Sequence, residues 1–225
     1  MTLTYYGHAC FLLEAGGSKV LFDPFIRPNP LAKDVDVDAI AADYILITHG
    51  HGDHVADAEE IGKRTGAQVV AIAEIAHWFE QKGLKTVGMN LGGTLQLPFG
   101  SVTMVAAAHS SSLPDGSYGG VAAGYIVKAE GKTFYFAGDT ALTYDMKLIG
   151  ERYTLDLAIL PIGDHYTMGI DDALVAADWT GASKVIGMHF DTFPPIAINH
   201  DEARAKATAA GKELVLLSVG ETTSL

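Results

Sequence analysis

Between positions 49 and 54 the chain reads His-Gly-His-Gly-Asp-His, directly after the run Asp43-Tyr44-Ile45-Leu46-Ile47-Thr48. The run has the content of a buried strand, and the segment after it is the loop that this strand delivers to a surface. His49, His51, Asp53 and His54 put four nitrogen or oxygen donors within six positions. Gly50 and Gly52 let the backbone fold tightly enough to aim side chains on both sides of it at a common centre. Such a set is an arrangement for metal, and its size suits two ions. Imidazoles mixed with carboxylates favour Zn²⁺, Mn²⁺ or Fe over the oxygen-rich sites of Mg²⁺ and Ca²⁺. A fold for this chain must bring the loop to an edge where further donors can meet it.

The rest of the sequence repeats one device, an apolar strand running into a donor. His109 follows the strand-like run 102–107, Asp139 the run 132–137 and His189 the run 184–188. An Asp at a strand end can cap a helix, but Asp139 is the one extra carboxylate placed to bridge two ions. Ahead of the motif, runs 3–6, 9–14 and 19–22 read as an antiparallel meander, with His8 after Gly7 and Asp23 before Pro24 at one rim. Residues 24–38 read as an irregular loop and 113–120, rich in Gly, as a mobile loop bordering a substrate. Elsewhere strands and helices alternate, with helices expected at 55–64, 75–82, 144–153, 171–180 and 201–210 and a closing strand at 214–218. That alternation places strand ends and their loops on one edge of a sheet. His165 lies in a Gly-flanked loop near that edge and is equally a metal or substrate contact and a plain loop residue. His77 reads as a helix-surface residue, His200 as a helix cap or exposed residue, and the lone Cys10 as a buried, inert thiol.

With 225 residues, 48% of them hydrophobic and spread along the whole length, one domain spanning 1–225 is expected. No apolar run approaches the ~20 residues of a membrane span, and Met1-Thr2-Leu3-Thr4 has no secretory signal character, so a cytoplasmic location is expected. The formal charge of −12 and the lack of any Lys/Arg cluster argue against bulk attraction to long nucleic acids or to a membrane. A small-molecule substrate is expected instead, and the metals themselves could hold a small anionic one.

The four strand-end signals, in this order, resemble the metallo-β-lactamase superfamily over essentially the whole chain. The stretches TYYGHACF, LFDPF, HSSSLPDGSYGG, YFAGDT, DMKLIGERY, LPIGDHYTMG and HFDTFPPI resemble, more narrowly, its metal-dependent hydrolases related to L-ascorbate-6-phosphate lactonase. The resemblance implies an α/β fold, the αββα sandwich of two mixed sheets flanked by helices. It implies two divalent ions, Zn or Mn with Fe or Ni as alternatives. His49, His51 and His109 would bind one ion and Asp53, His54 and His189 the other, with Asp139 between them. Asp23 would accept a hydrogen bond from a ligand imidazole and fix its tautomer, and a homo-oligomer would be expected. The chain departs from the family pattern at His165 and Asp191, where Asn is usual, and both bear on substrate choice.

The expected chemistry is metal-assisted hydrolysis of a small ester or lactone, which could carry a phosphate, by a water ionised between the two cations. Asp53 and Asp139 are the candidates to orient that water or relay its proton. His165 and His8 are the candidates to protonate the leaving group or bind an anionic substrate. The alternatives are a small-molecule phosphodiesterase or nuclease, an iron-dependent redox protein and a non-catalytic metal-binding protein. Diiron relatives have Glu where this chain has His51, which favours hydrolysis. The complete donor set disfavours a merely binding protein.

Overall fold

The computed structural model describes residues 1–225. The chain opens with β1 (Thr2–Gly7), β2 (Cys10–Ala15) and β3 (Ser18–Phe22), followed, after a loop with one 3₁₀ turn at Val37–Ala39, by β4 (Tyr44–Leu46). Next come the short helices α1 (Gly52–Val55) and α2 (Ala58–Thr65), then β5 (Gln68–Ile72), α3 (Ala73–Glu80) and β6 (Lys85–Met89). The second half has the same plan: β7 (Thr94–Leu97), β8 (Gly100–Ala106), β9 (Ala123–Ala129) and β10 (Lys132–Phe136), then α4 (Asp145–Arg152), β11 (Leu157–Pro161), α5 (Ile170–Thr180) and β12 (Lys184–Met188). It closes with α6 (His200–Ala209), β13 (Glu213–Val215) and β14 (Thr222–Ser224).

These strands form two seven-stranded mixed sheets, ordered β14-β1-β2-β3-β4-β5-β6 and β13-β12-β11-β10-β9-β8-β7. In each, tight turns such as Gly16-Gly17 and Glu130-Gly131 join antiparallel neighbours, and longer crossovers then add parallel strands. Helices α2 and α3 pack on the first sheet and α5 and α6 on the second, giving the expected αββα layers. No helix is long and apolar enough to cross a membrane.

The inner faces share a core of 62 buried residues. Phe136 in the second sheet meets Phe22 and Phe11 of the first at ring separations of 4.6 and 6.0 Å. Tyr125 of β9 donates its buried hydroxyl to the Ile47 carbonyl at 2.8 Å, and the Ala123 amide donates to the Thr48 carbonyl at 3.0 Å. The sheets are thus tied together directly beneath the histidine-rich loop. That fixes the height at which the loop leaves the core.

The structure differs from the sequence expectation in three places. The expected helix 55–64 is two helices, because Asp57 turns inward and accepts hydrogen bonds from the Ile26 and Arg27 amides at 2.5 and 3.1 Å. The chain does not end at a strand over 214–218. It turns at Gly220, whose amide bonds the Tyr5 carbonyl at 2.7 Å, and returns as β14 on the edge of the other sheet. Finally, 113–120 is tethered and not free. Trp78 donates to Asp115 at 2.6 Å, Leu113 is buried, and Ser111 accepts from the Gly50 amide while donating to the Gly119 carbonyl.

Candidate metal centre

Six strands end at one edge of the sandwich, and each donor lies just beyond one of them. His8 follows β1, Asp23 follows β3, the His49–His54 loop follows β4, and His109, Asp139 and His189 follow β8, β10 and β12. His8, Asp23 and His189 adopt left-handed backbone, with φ of 58°, 40° and 56°. Non-glycine residues rarely do so, and here it turns the chain sharply at the strand end. Within the motif, Gly50 packs closely on the following loop, since a Cβ there would lie 3.1 Å from the Ser112 carbonyl oxygen and press it outward. His49 lies beyond the end of β4 and His51 on extended chain, while α1 begins at Gly52 and carries Asp53 and His54 on a helical turn. The change of backbone sends the two pairs of donors in different directions.

The donors converge as two groups. Nitrogens of His49, His51 and His109 lie within 4.8 Å of one another, and so do donor atoms of His8, Asp53, His54 and His189. Asp139, almost fully buried, lies between the groups. Its Oδ2 is 3.0 Å from His189 Nε2, 3.6 Å from His109 Nε2 and 3.9 Å from His49 Nε2, and its Oδ1 is 3.4 Å from His54 Nε2. His54 Nε2 and Asp139 Oδ1 are buried without a hydrogen-bond partner. Orphaned buried polar atoms are costly, and a cation between them would satisfy both. The residues therefore fit metal held by nitrogen and oxygen ligands. His51, Asp53 and His109 retain partial exposure, which leaves the centre open on one side.

Behind the donors, one buried carboxylate organises both groups. Asp23 Oδ2 accepts from His54 Nδ1 at 2.8 Å and from the Thr48 hydroxyl at 2.6 Å, while Oδ1 accepts from the Thr48 amide at 2.8 Å. With its proton committed to Asp23, the Thr48 oxygen accepts from His49 Nδ1, 3.0 Å away. Both imidazoles thereby direct Nε2 at the centre, as the nitrogen each would offer to a metal. Thr48 was not singled out in the sequence, where a hydroxyl next to the first histidine is the one available signal.

Charge in the metal-free site is set by burial and by these contacts. Burial pushes His8, His49, His51 and His109 below the ordinary imidazole value of 6.5, His8 to about 4. Burial opposes a charge on His54 as well, but Asp139 and Asp23 outweigh it and hold that imidazole well above 6.5. Burial would raise Asp139, yet His54 and His189 keep its carboxyl well below the usual range. The unfolded chain takes up protons at the four depressed imidazoles near pH 6.5, whereas the folded chain resists them. Stability of metal-free protein should therefore fall as pH drops from about 6.5 toward about 4, with His8 alone contributing about 3 kcal/mol. His54 acts with the opposite sign, its contribution complete below 6.5 and lost as pH rises through its folded value, so it does not offset the loss between 6.5 and about 4. Denaturant melts of chelator-treated protein across this range check the slope, and a flat profile would contradict it.

The remaining sequence candidates fall elsewhere. His8 is fully buried with Nε2 3.1 Å from Asp53 Oδ2 and Nδ1 2.9 Å from the Thr192 hydroxyl, so it faces ligands and not a substrate. Asp191 accepts from the Ile198 amide at 2.9 Å and pairs with His200 Nε2 at 2.6 Å, ordering its own loop without touching a donor. His165 is exposed at a loop tip, 4.4 Å in ring separation from Tyr166, and makes no hydrogen bond to the cluster. The same loop matters through Gly163, where a Cβ would collide with the His189 carbonyl oxygen. Gly163→Ala should cost about 1–3 kcal/mol by overpacking and displace His189, which thermal melts and metal content would register.

Comparison with known proteins agrees with this fold. The model of the β-lactamase superfamily domain matches residues 18–190. A UPF0173 metal-dependent hydrolase of Flavobacterium johnsoniae is 51% identical over 225 residues, covering 100% of both chains. Another from Thermus thermophilus is 47% identical over 221 residues, covering 98% of this chain and 97% of its own. Among solved structures, Igni18, a metallo hydrolase from Ignicoccus hospitalis, superposes with a TM-score of 0.89 at 39% identity, covering 99% of this chain and 97% of its own. The fold alone is shared with CmlA, a diiron β-hydroxylase from Streptomyces venezuelae, at 16% identity and a TM-score of 0.75, covering 100% of this chain and 54% of CmlA. The chain belongs to the metallo-β-lactamase superfamily and, within it, to the UPF0173 metal-dependent hydrolases.

Proposed function

We propose that this metal-dependent hydrolase uses two divalent ions to cleave a small, uncharged ester or lactone. The observation that carries the reading is the position of Asp139, buried between two groups of donors with Oδ2 within 4 Å of nitrogens from both and Oδ1 turned to His54. Ions held there would supply an acidified water and a Lewis acid for the carbonyl oxygen. Asp53, partly exposed at the open side and anchored by His8, would orient the water or accept its proton. Asp139 would keep the two halves in register.

Charge favours an uncharged substrate over the phosphorylated one also considered. The segments around the centre, 49–57, 107–122, 138–146, 162–169 and 189–199, contain no Lys or Arg, while Asp115, Asp164 and Asp191 lie among them. A phosphate there would find no cationic side chain, and Asp23, Asp53 and Asp139 already offset most of the charge that two divalent ions bring. The exposed large side chains on the same segments are Tyr118, Val121, Tyr144 and Tyr166, which suit an apolar or aromatic substituent.

The test is hydrolysis by protein loaded separately with Zn²⁺ and with Mn²⁺, on matched panels of uncharged esters and lactones, sugar-phosphate lactones and phosphodiesters. Turnover of the uncharged panel, absent in Asp139→Ala, is expected. Turnover confined to phosphodiesters would replace this reading with a small-molecule phosphodiesterase.

A further inference from the structure

The donor set has two organisers, and they divide it. Asp23 reaches His54 directly and His49 through Thr48, and forms no hydrogen bond with Asp53 or His189. Those two ligands meet a different buried side chain. His8 places Nε2 3.1 Å from Asp53 Oδ2, its ring lies 4.0 Å from the His189 ring, and its carbonyl accepts the His189 amide at 2.8 Å. Of the His189 ring nitrogens, Nε2 lies 3.0 Å from Asp139 Oδ2 and Nδ1 is buried without a partner.

The Asp53 carboxylate can only accept, so the His8 proton resides on Nε2 and points at it. Nδ1 is then the acceptor, 2.9 Å from the Thr192 hydroxyl, whose other partner is the Phe190 carbonyl at 3.4 Å. The edges of Phe25 and Phe193, at ring separations of 5.5 and 5.6 Å, and the Tyr5 hydroxyl on the His8 carbonyl at 3.2 Å confine the ring further. A side chain so fixed can fix its neighbours.

We propose that His8 is the positioning residue of the half-site formed by Asp53, His54 and His189. It aims Asp53 through Nε2–H and braces His189 by tilted ring contact and through its own carbonyl, without itself ligating the ion. This rests on the two-ion reading above and adds that the Asp53 half-site has a support of its own beside Asp23. Asp53 and His189 depend on the turn after β1, whereas Asp23 orients His54 directly and His49 through Thr48. Sequence spacing could not reveal this, because His8 and Thr192 lie 184 positions apart.

The experiment titrates full-length, metal-free protein with Co²⁺, following visible absorption and bound metal per chain, for wild type, His8→Ala, His8→Gln and Thr192→Val. His8→Ala should weaken one of the two equivalents by about 10- to 100-fold, the range for losing a group that orients a ligand, and leave the other unchanged. His8→Gln should recover much of the loss, because its amide can donate to Asp53 in place of Nε2–H. Thr192→Val should weaken the same equivalent to a smaller degree. Equal weakening of both equivalents would overturn the proposal in favour of general structural support, as would affinities that do not change. A loss that Gln fails to recover would make His8 a ligand. A wild-type protein saturating at one equivalent would overturn the two-ion reading itself, an outcome distinct from any of these.

Discussion

Replacing Asp139 with Ala should abolish binding of both ions and reduce hydrolysis by at least ~10³-fold, about 4 kcal/mol of transition-state stabilisation. Asp139 is the group that the Nε2 atoms of His49, His54, His109 and His189 all face, at 3.0 to 3.9 Å. Without its charge, cations in either half would face clustered imidazoles with no anion between them. Asp139→Asn tests whether charge or shape is responsible. It preserves volume, so a folded protein that still fails to retain metal would assign the effect to the carboxylate. Metal content after dialysis and kcat/KM measured on the same samples decide the matter. A fully loaded, fully active Asp139→Ala protein would remove Asp139 from its central place.

The second large effect is expected at Asp23, which lies behind the donors and has no exposed surface. Asp23→Ala removes three accepted hydrogen bonds at once, from the Thr48 amide, the Thr48 hydroxyl and His54 Nδ1. Breaking a buried charged pair from one side typically costs about 3–5 kcal/mol, so a fall of that order in unfolding free energy is expected. Affinity for each ion should fall about 10- to 100-fold, because ligands in both halves lose their orientation. Thr48→Val is the discriminating companion. It severs only the link to His49, so it should weaken the ion on the His49 side and spare the other. Equal losses from Thr48→Val at both ions would show that Asp23 and Thr48 act as one structural unit.

What could be read from the sequence follows from where the information lies along the chain. Each donor comes just after an apolar strand, so the sequence alone places His49, His109, Asp139 and His189 at one edge. Parallel strand ends share that edge by topology alone. The orienting contacts are another matter. Thr48 acquires its role from Asp23, 25 positions away, and nothing near Thr48 encodes it. Helix α1 was read as loop because Gly52 and His54 have low helix propensity, yet its single turn is what separates Asp53 and His54 from His49 and His51. β14 has only three residues, Thr222–Ser224, with no apolar alternation, so its return to β1 left no periodic signal. The loop at 113–120 has the glycines of a mobile segment, and its tethers are Trp78 and Gly50, both distant in sequence. His165 shows the limit in the other direction: a histidine in a Gly-flanked loop near the right edge is, in the fold, exposed and unbonded to the donors.

The most direct measurement is a stepwise Zn²⁺ titration of metal-free wild-type protein, with bound metal and hydrolysis of an uncharged ester or lactone recorded at each step. Saturation at two ions per chain, with hydrolysis complete only when the second has bound, is the expected result. Saturation at one ion per chain with full hydrolysis would contradict the dinuclear centre, and with it the role assigned to Asp139.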